Sequence, residues 1–544
     1  MVGRRAAVVL GALAVLAAGT AQPVHAAPAP PAPRRTGLPY GLARSRIVGT
    51  PMRQARPLST RSFSATAPEV TIDVLDRSGR PPTTDETDSV LFIPLDGGDW
   101  LSAEVRDGHA EAAVPAGAYA VSAYVMSTGA NGETSTTLIY RSKVSVTGDT
   151  ALTLDARTAR PIRAAVDRAA ARTVGIAAVL TQRLGSRVET VALLDGPDNF
   201  VTPTGDDSEL TFRLQAQLTK DGAATSPYLY AIGAARDGIP ADPGLRVRTR
   251  DLAAVRTGYA GEGGPACVGT SAGVDWGTGL SVEGWTGQGP LPATRTEYLS
   301  PGLNWLRSEY VTGTDCGFAF DDTDVRSRTE RYPGAGSYAR RWSAAPAGPA
   351  AGSLHWQTGQ EPALVVRMLS SQDAQSSIAP YAHMTGTSTL RDATGQVVAT
   401  SDQPGSANDW THPAPGKYTL TVDANRDAPW SDLATRQHVV WNLTVDDAAR
   451  VALPVLRYAT ALDADGRARA GRNQTITVTP DGTGGTPALQ VSYDDGESWT
   501  STPLHRSGNG WTAQVRNPAS GYVSLRGTVA GVVDQTVIRA YGVG

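Results

Sequence analysis

The sequence predicts an all-β chain built of tandem β-sandwich, immunoglobulin-like domains. Short stretches of alternating apolar and polar residues recur along it, Gly- and Pro-rich turns separate them, and no sustained helical period appears. At 544 residues it is also too long for a single core.

Each unit rests on its own strands. In 68–157, Val70 to Leu75 alternates and meets the turn Asp76-Arg77-Ser78-Gly79, and Pro115-Ala116-Gly117 leads into the alternating run Ala118 to Val125. Arg157 to Val174 reads as linker plus strand, because Pro161 and β-branched residues oppose a helix. In the larger unit 158–345, Glu209–Leu218, Tyr228–Ile232 and Leu245–Val255 read as strands. The Ala/Pro/Gly stretch Ala344 to Gly352 marks a boundary. In the unit 346–447, Ala414-Pro415-Gly416-Lys417-Tyr418 echoes Pro115 to Tyr119, which signals similar hairpins. The last unit, 448–544, has the strand spacing of an immunoglobulin-like sandwich.

The first residues predict export. Arg4-Arg5 precede an apolar stretch that closes on Val24-His25-Ala26, the pattern of a signal peptide over 1–26, and no other apolar run suggests a transmembrane anchor. Residues 27–67 carry seven arginines and no acid, and read as a disordered Pro/Ala/Arg linker. Arg46-Ile47-Val48-Gly49 within it matches a trypsin-like activation site, but no trypsin-like catalytic pattern follows. A formal net charge of −3 gives no reason to expect nucleic acid as a partner. An exported chain with two cysteines predicts one disulfide, Cys267 to Cys316. A zinc site would need more ligands, and no histidine lies near either cysteine.

Chemistry has few footholds. Gly269-Thr270-Ser271-Ala272-Gly273 fits the G-x-S-x-G of hydrolase nucleophiles, but Gly- and Pro-rich residues precede it and no helix follows. The expectation is a glycine-rich β-loop near the disulfide. Asp321, Asp322, Asp324 and Glu330, and the pair Asp463 and Asp465, offer oxygens for a structural calcium, yet neither set has EF-loop spacing and solvated turns are favoured. Trp276, Trp285 and Trp305 could stack sugars or pack the core, with packing preferred. Ser492 to Trp499 fits the Asp-box pattern, a device that closes a hairpin. No complete catalytic triad, cofactor site or metal site is legible.

Several phrases carry a resemblance. Val491 to Gly496, Val523-Ser524-Leu525-Arg526, Gln535 to Tyr541, Leu245 to Tyr259, Arg295-Thr296-Glu297-Tyr298 and Val146 to Arg157 resemble the region that follows the catalytic domain in large secreted subtilisin-like serine proteases of actinobacteria. The resemblance covers about Val70 to Gly544 and implies β-sandwich extensions without a catalytic domain. It brings no catalytic residue with it. The expectation is a secreted, non-catalytic accessory, binding or scaffold protein whose partner is an extracellular protein or cell-surface polymer. The alternatives are a serine hydrolase using Ser271, and an accessory subunit of a separately encoded protease.

Overall fold

The computed structural model describes residues 45–49, 56–58, 67–129, 132–196, 198–278, 280–314, 316, 323–355, 363–372, 377–378, 383–446 and 450–544. Residues 1–26, read from the sequence as a signal peptide, and Asp321 and Asp322 lie outside them. The described residues are all-β, with strands throughout and only two short 3-10 turns, Ala156–Thr158 and Thr249–Asp251. No helix among them is long and apolar enough to cross a membrane.

The N-terminal half is a stack of sheets. A three-stranded sheet of His109–Ala113, Glu69–Leu75 and Thr150–Asp155 packs on a seven-stranded sheet centred on Gly117–Thr128 and Thr134–Val146. Val70, Ile72, Val74, Phe92, Val121 and Leu154 fill the space between them. The far side of that second sheet is buried too. Ile93, Ala120 and Leu138 sit one residue from Phe92, Val121 and Ile139, and pack instead against Ile176, Leu214 and Tyr230. Two covered faces explain why Gly117–Thr128 is buried almost continuously.

Ile176, Leu214 and Tyr230 belong to a second seven-stranded sheet, whose strands include Ala171–Leu184, Leu210–Lys220, Tyr228–Asp237, Ala253–Tyr259, Ala293–Leu299 and Gly336–Trp342. Its other face meets a six-stranded sheet through Ala177 and Val179 against Val282, and Ala231 and Val255 against Val274 and Trp305. The six-stranded sheet runs Ser45–Gly49, Leu280–Pro290, Cys267–Asp275, Asn304–Thr312, Asp324–Arg331, Ser377–Ile378.

Three local expectations change. Ser45–Gly49, inside the stretch read as a disordered linker, is an edge strand pairing with Leu280 to Gly284. An edge needs only main-chain groups to bind a strand, which a search for buried apolar periodicity does not detect. Leu245–Val255 is not one strand, because Thr249–Asp251 turns. Its cause is Asp167, whose carboxylate accepts the Thr249 N–H at 2.8 Å and the Thr249 hydroxyl. Ala344 to Gly352 is also paired, through reciprocal hydrogen bonds between Gly348 and Ser370 and a strand beginning at Gly352.

The C-terminal half does not divide at residue 447. Arg436–Val445 pairs antiparallel with Val533–Val543, so one nine-stranded sheet holds strands from both 346–447 and 448–544. Leu420, Trp441, Ile476, Val523 and Tyr541 belong to a single core.

Candidate functional site

Four neighbouring strands of the six-stranded sheet place polar residues on both of its faces. Their registers align Ser271 with Ser308 and Ser308 with Ser327, while the next rung aligns Ala272, Arg307 and Arg328. Because side chains alternate, the serines share the outer face and the arginines the inner one.

On the outer face the Ser271 hydroxyl donates to Glu283 Oε2 at 2.5 Å, and the Ser308 hydroxyl lies 3.4 Å from the same oxygen. Ser308 Oγ is 2.9 Å from Ser327 Oγ, and Tyr310 Oη is 3.3 Å from Ser271 Oγ. The Trp285 ring stacks on Tyr310 with centroids 4.1 Å apart. Glu283, Ser308 and Ser327 form the floor of a cleft of about 530 Å³. Arg307 and Arg328 line it as well, together with Gly352, Arg367 and Arg450 from beyond the 345 boundary. That volume is in the range of small-molecule sites, roughly 300–1,000 Å³.

On the inner face the same strands carry buried ion pairs. Glu297 accepts from Arg307 Nη2 at 2.8 Å, Arg295 Nη2 at 2.6 Å, the Thr257 hydroxyl at 2.5 Å and the Tyr259 hydroxyl at 2.7 Å. Burial opposes its charge, but Arg307 and Arg295 overcome this and hold the carboxyl well below the ordinary range. Glu330 gathers Arg307, Arg328, Arg340 and the Tyr332 hydroxyl. Glu262 lies between Arg326 and Arg426, and against its burial these two pull it down to about 2. Glu309 differs. Burial pushes it up to about 7, Arg326 offsets only part of this from 3.9 Å, and its Oε1 has no hydrogen-bond partner among the described residues. Paired charges on the inner face fix the strands whose serines face the cleft, which pre-organises the floor.

The residues singled out in the sequence fall in different places. Cys267 and Cys316 are bonded, with Cα atoms 5.2 Å apart, joining one strand to the turn after its neighbour. Ser271 lies mid-strand and 1% exposed, not on a loop or a strand-to-helix elbow. Gly273, two residues on, serves close packing, since a Cβ there would lie 2.4 Å from the Val282 carbonyl oxygen. The base available to Ser271 is a carboxylate, while His355 bonds Ser353 at 2.8 Å.

Asp324 binds Arg426 at 2.7 Å, and Glu330 is held by arginines, so both acids serve ion pairs. Asp463 accepts the N–H groups of Asp465 and Arg467, each at 2.9 Å, forming a turn. No group of three or more metal-ligating side chains occurs among the described residues. The tryptophans form no shared platform: Trp305 is buried on the inner face and Trp285 half-buried on the outer. In the Asp-box, Asp494 accepts from Ser492 and from the Ser498 N–H and hydroxyl, which lower its carboxyl to about 2.

Glu283, Ser308, Ser327, Arg367 and Arg450 escaped the reading of the sequence. Their only signal is alternation in Arg307-Ser308-Glu309 and Arg326-Ser327-Arg328-Thr329-Glu330, which marks strands with two polar faces.

No protein-family model matches the chain, and no curated protein matches it. Among solved structures the chain is similar to the Bacillus anthracis TIE protein, at 9% identity over 76% of this chain and 74% of that one, with a TM-score of 0.12.

Proposed function

We propose that this chain works outside the cell as a non-catalytic binding protein and holds its ligand in the cleft between the six-stranded sheet and the segment around Gly352. The observation that carries this is the floor itself. Two serine hydroxyls and a carboxylate meet there in fixed geometry, in a cleft that Arg450 also lines and that is large enough for a ligand. Such a site recognises polar groups by preset hydrogen bonds. Ser271 orients Glu283 from below, as a buried hydroxyl donating to the acceptor it positions.

The test is capture from the producing organism's culture medium. Ala351 is exposed on the cleft wall, so Ala351→Trp obstructs the space without disturbing a core. The mature chain should retain a partner that Ala351→Trp loses, with thermal stability unchanged. Equal retention by both would overturn the assignment. Labelling by a fluorophosphonate that disappears in Ser271→Ala would replace binding with hydrolysis.

The phrases that resemble subtilisin-like protease extensions support a second reading, an accessory subunit of a separately encoded protease. Under it, the captured partner is that protease.

A further inference from the structure

We infer that the cleft is regulated by pH: Glu309 is a proton-sensitive strut between its floor and its wall, holding the wall closed while protonated and releasing it when ionised. This regulation rests on reading the cleft as the binding site.

The strand Asn304–Thr312 carries Ser308 outward to the floor and the next residue, Glu309, inward. The side of the cleft lined by Ala350 to Ser353 is a ribbon. It is held to the chain at 367–372 by bonds from Gln372 N–H to Ala344, between Gly348 and Ser370, and from Ala350 N–H to Arg367. Ser343 is the root of that ribbon, and its hydroxyl donates to Glu309 Oε2. Floor strand and wall are therefore tied through this side-chain bond. Ser343 has φ +54, in the left-handed region that a serine adopts at a cost. The bond to Glu309 offsets that cost, so losing it frees the root to relax.

Glu309 is the odd charge in its surroundings. Glu262 and Asp324 are balanced by Arg326 and Arg426. Arg328 and Arg307 are held by Glu330, and Arg307 by Glu297 too. On Cys267–Asp275 the residue opposite is Thr270, bound by Arg295, while His383 stands against the ring of Trp430, which clusters with Val311. A further buried carboxylate thus has no countercharge of its own, and its Oε1 has no donor among the described residues. Burial opposes its charge more than Arg326 and Ser343 favour it, so it titrates at about 7. Once ionised, the bare oxygen needs water. Water reaches it when the ribbon root parts from the floor strand.

Both cysteines are in the disulfide, so spin labels go only to introduced ones, Ala351→Cys on the wall and Thr329→Cys on the floor, both at exposed positions. Dipolar spectroscopy of the full chain should give one narrow distance at about pH 5.5 and a longer, broader distribution at about pH 8.5. Glu309→Gln, neutral throughout and with His383 intact, should keep the narrow distance at both. Ser343→Gly, which suits the positive φ and lacks the hydroxyl, should give the broad distribution at both. A distance indifferent to pH would mean that the cluster absorbs the charge, and would overturn the regulation while leaving the cleft standing. So would a pH response that survives Glu309→Gln. Whatever the labels report, equal capture by the wild type and Ala351→Trp would overturn the cleft reading and the regulation of binding with it.

Discussion

Arg426 Nη2 meets the Glu262 carboxylate at 2.6 Å, linking residues on either side of the boundary that the sequence suggests near 345. The same nitrogen reaches Asp324 at 2.7 Å, and Asp432 N–H donates to the Glu262 carbonyl at 3.1 Å nearby. All three ionic side chains are almost fully buried. The two stretches of chain are thus joined by charge as well as by the apolar cluster of Trp430 with Ala266 and Val311.

Breaking this joint from one side should be severe. Arg426→Met leaves Glu262 and Asp324 buried with fewer partners, a change that typically costs about 3–5 kcal/mol. Denaturant unfolding should register that loss, whereas Arg106→Met, which breaks the exposed pair with Glu104, should leave the midpoint nearly unchanged. Comparable small losses would show that the joint does not hold the units together.

Glu309 makes stability depend on pH in a definite direction. Its ordinary value is 4.5 and the fold raises it to about 7, so the folded state binds the extra proton between those values. Stability from this group is present below about 4.5 and is lost as pH rises through about 7, by roughly 3 kcal/mol at most. Arg326, Arg328, Glu262 and Ser343 are the groups that act on it. Glu262, lowered to about 2, acts oppositely and loses its contribution as pH falls from 4.5 towards 2. Glu309→Gln should therefore gain on the wild type between pH 5 and pH 8, measured by denaturant midpoints. A constant difference across that range would contradict the assignment.

The five-residue echo in the sequence corresponds to a shared hydrogen bond. Tyr119 Oη donates to the Pro115 carbonyl at 2.8 Å and Tyr418 Oη to the Ala414 carbonyl at 2.7 Å. A third copy, Tyr338 to Gly334 at 3.0 Å, opens the strand Gly336–Trp342. Each Tyr→Phe substitution should cost about 0.5–1.5 kcal/mol in denaturant unfolding. No loss at Tyr119 or Tyr418 would mean the bond contributes nothing to these hairpins.

The C-terminal half should unfold as one body. Because Arg436–Val445 and Val533–Val543 are partners, a fragment of 448–544 alone turns Val533–Val543 from a central strand into an exposed edge, paired along Gly521–Val529 but open where Arg436–Val445 was. Such a fragment should be aggregated or unfolded by circular dichroism, and 346–544 should melt in a single transition. A stable isolated 448–544 would contradict the shared core.

These examples show where the sequence was legible. The strand Gly117–Thr128, the Asp-box turn and the disulfide rest on local pattern or on cysteine count, and neither needs distant partners. The strands Asn304–Thr312 and Asp324–Arg331 were not legible, because charges at alternate positions resemble a solvated face. They are buried only because Glu297, Glu262 and Arg426 arrive from remote segments. The joining of 346–447 to 448–544 was hidden for the same reason, since composition marks loops but not which strands pair across them. The cleft combined both difficulties, with its floor on one unit and Arg450 far along the chain.

Hydrogen exchange of the chain, with and without the partner captured from culture medium, tests the binding cleft most directly. The cleft predicts slowed exchange concentrated in 350–355, 363–372 and 450–453, the segments that form its wall. Slowing confined to 487–544, with those segments unchanged while the partner is bound, would contradict it.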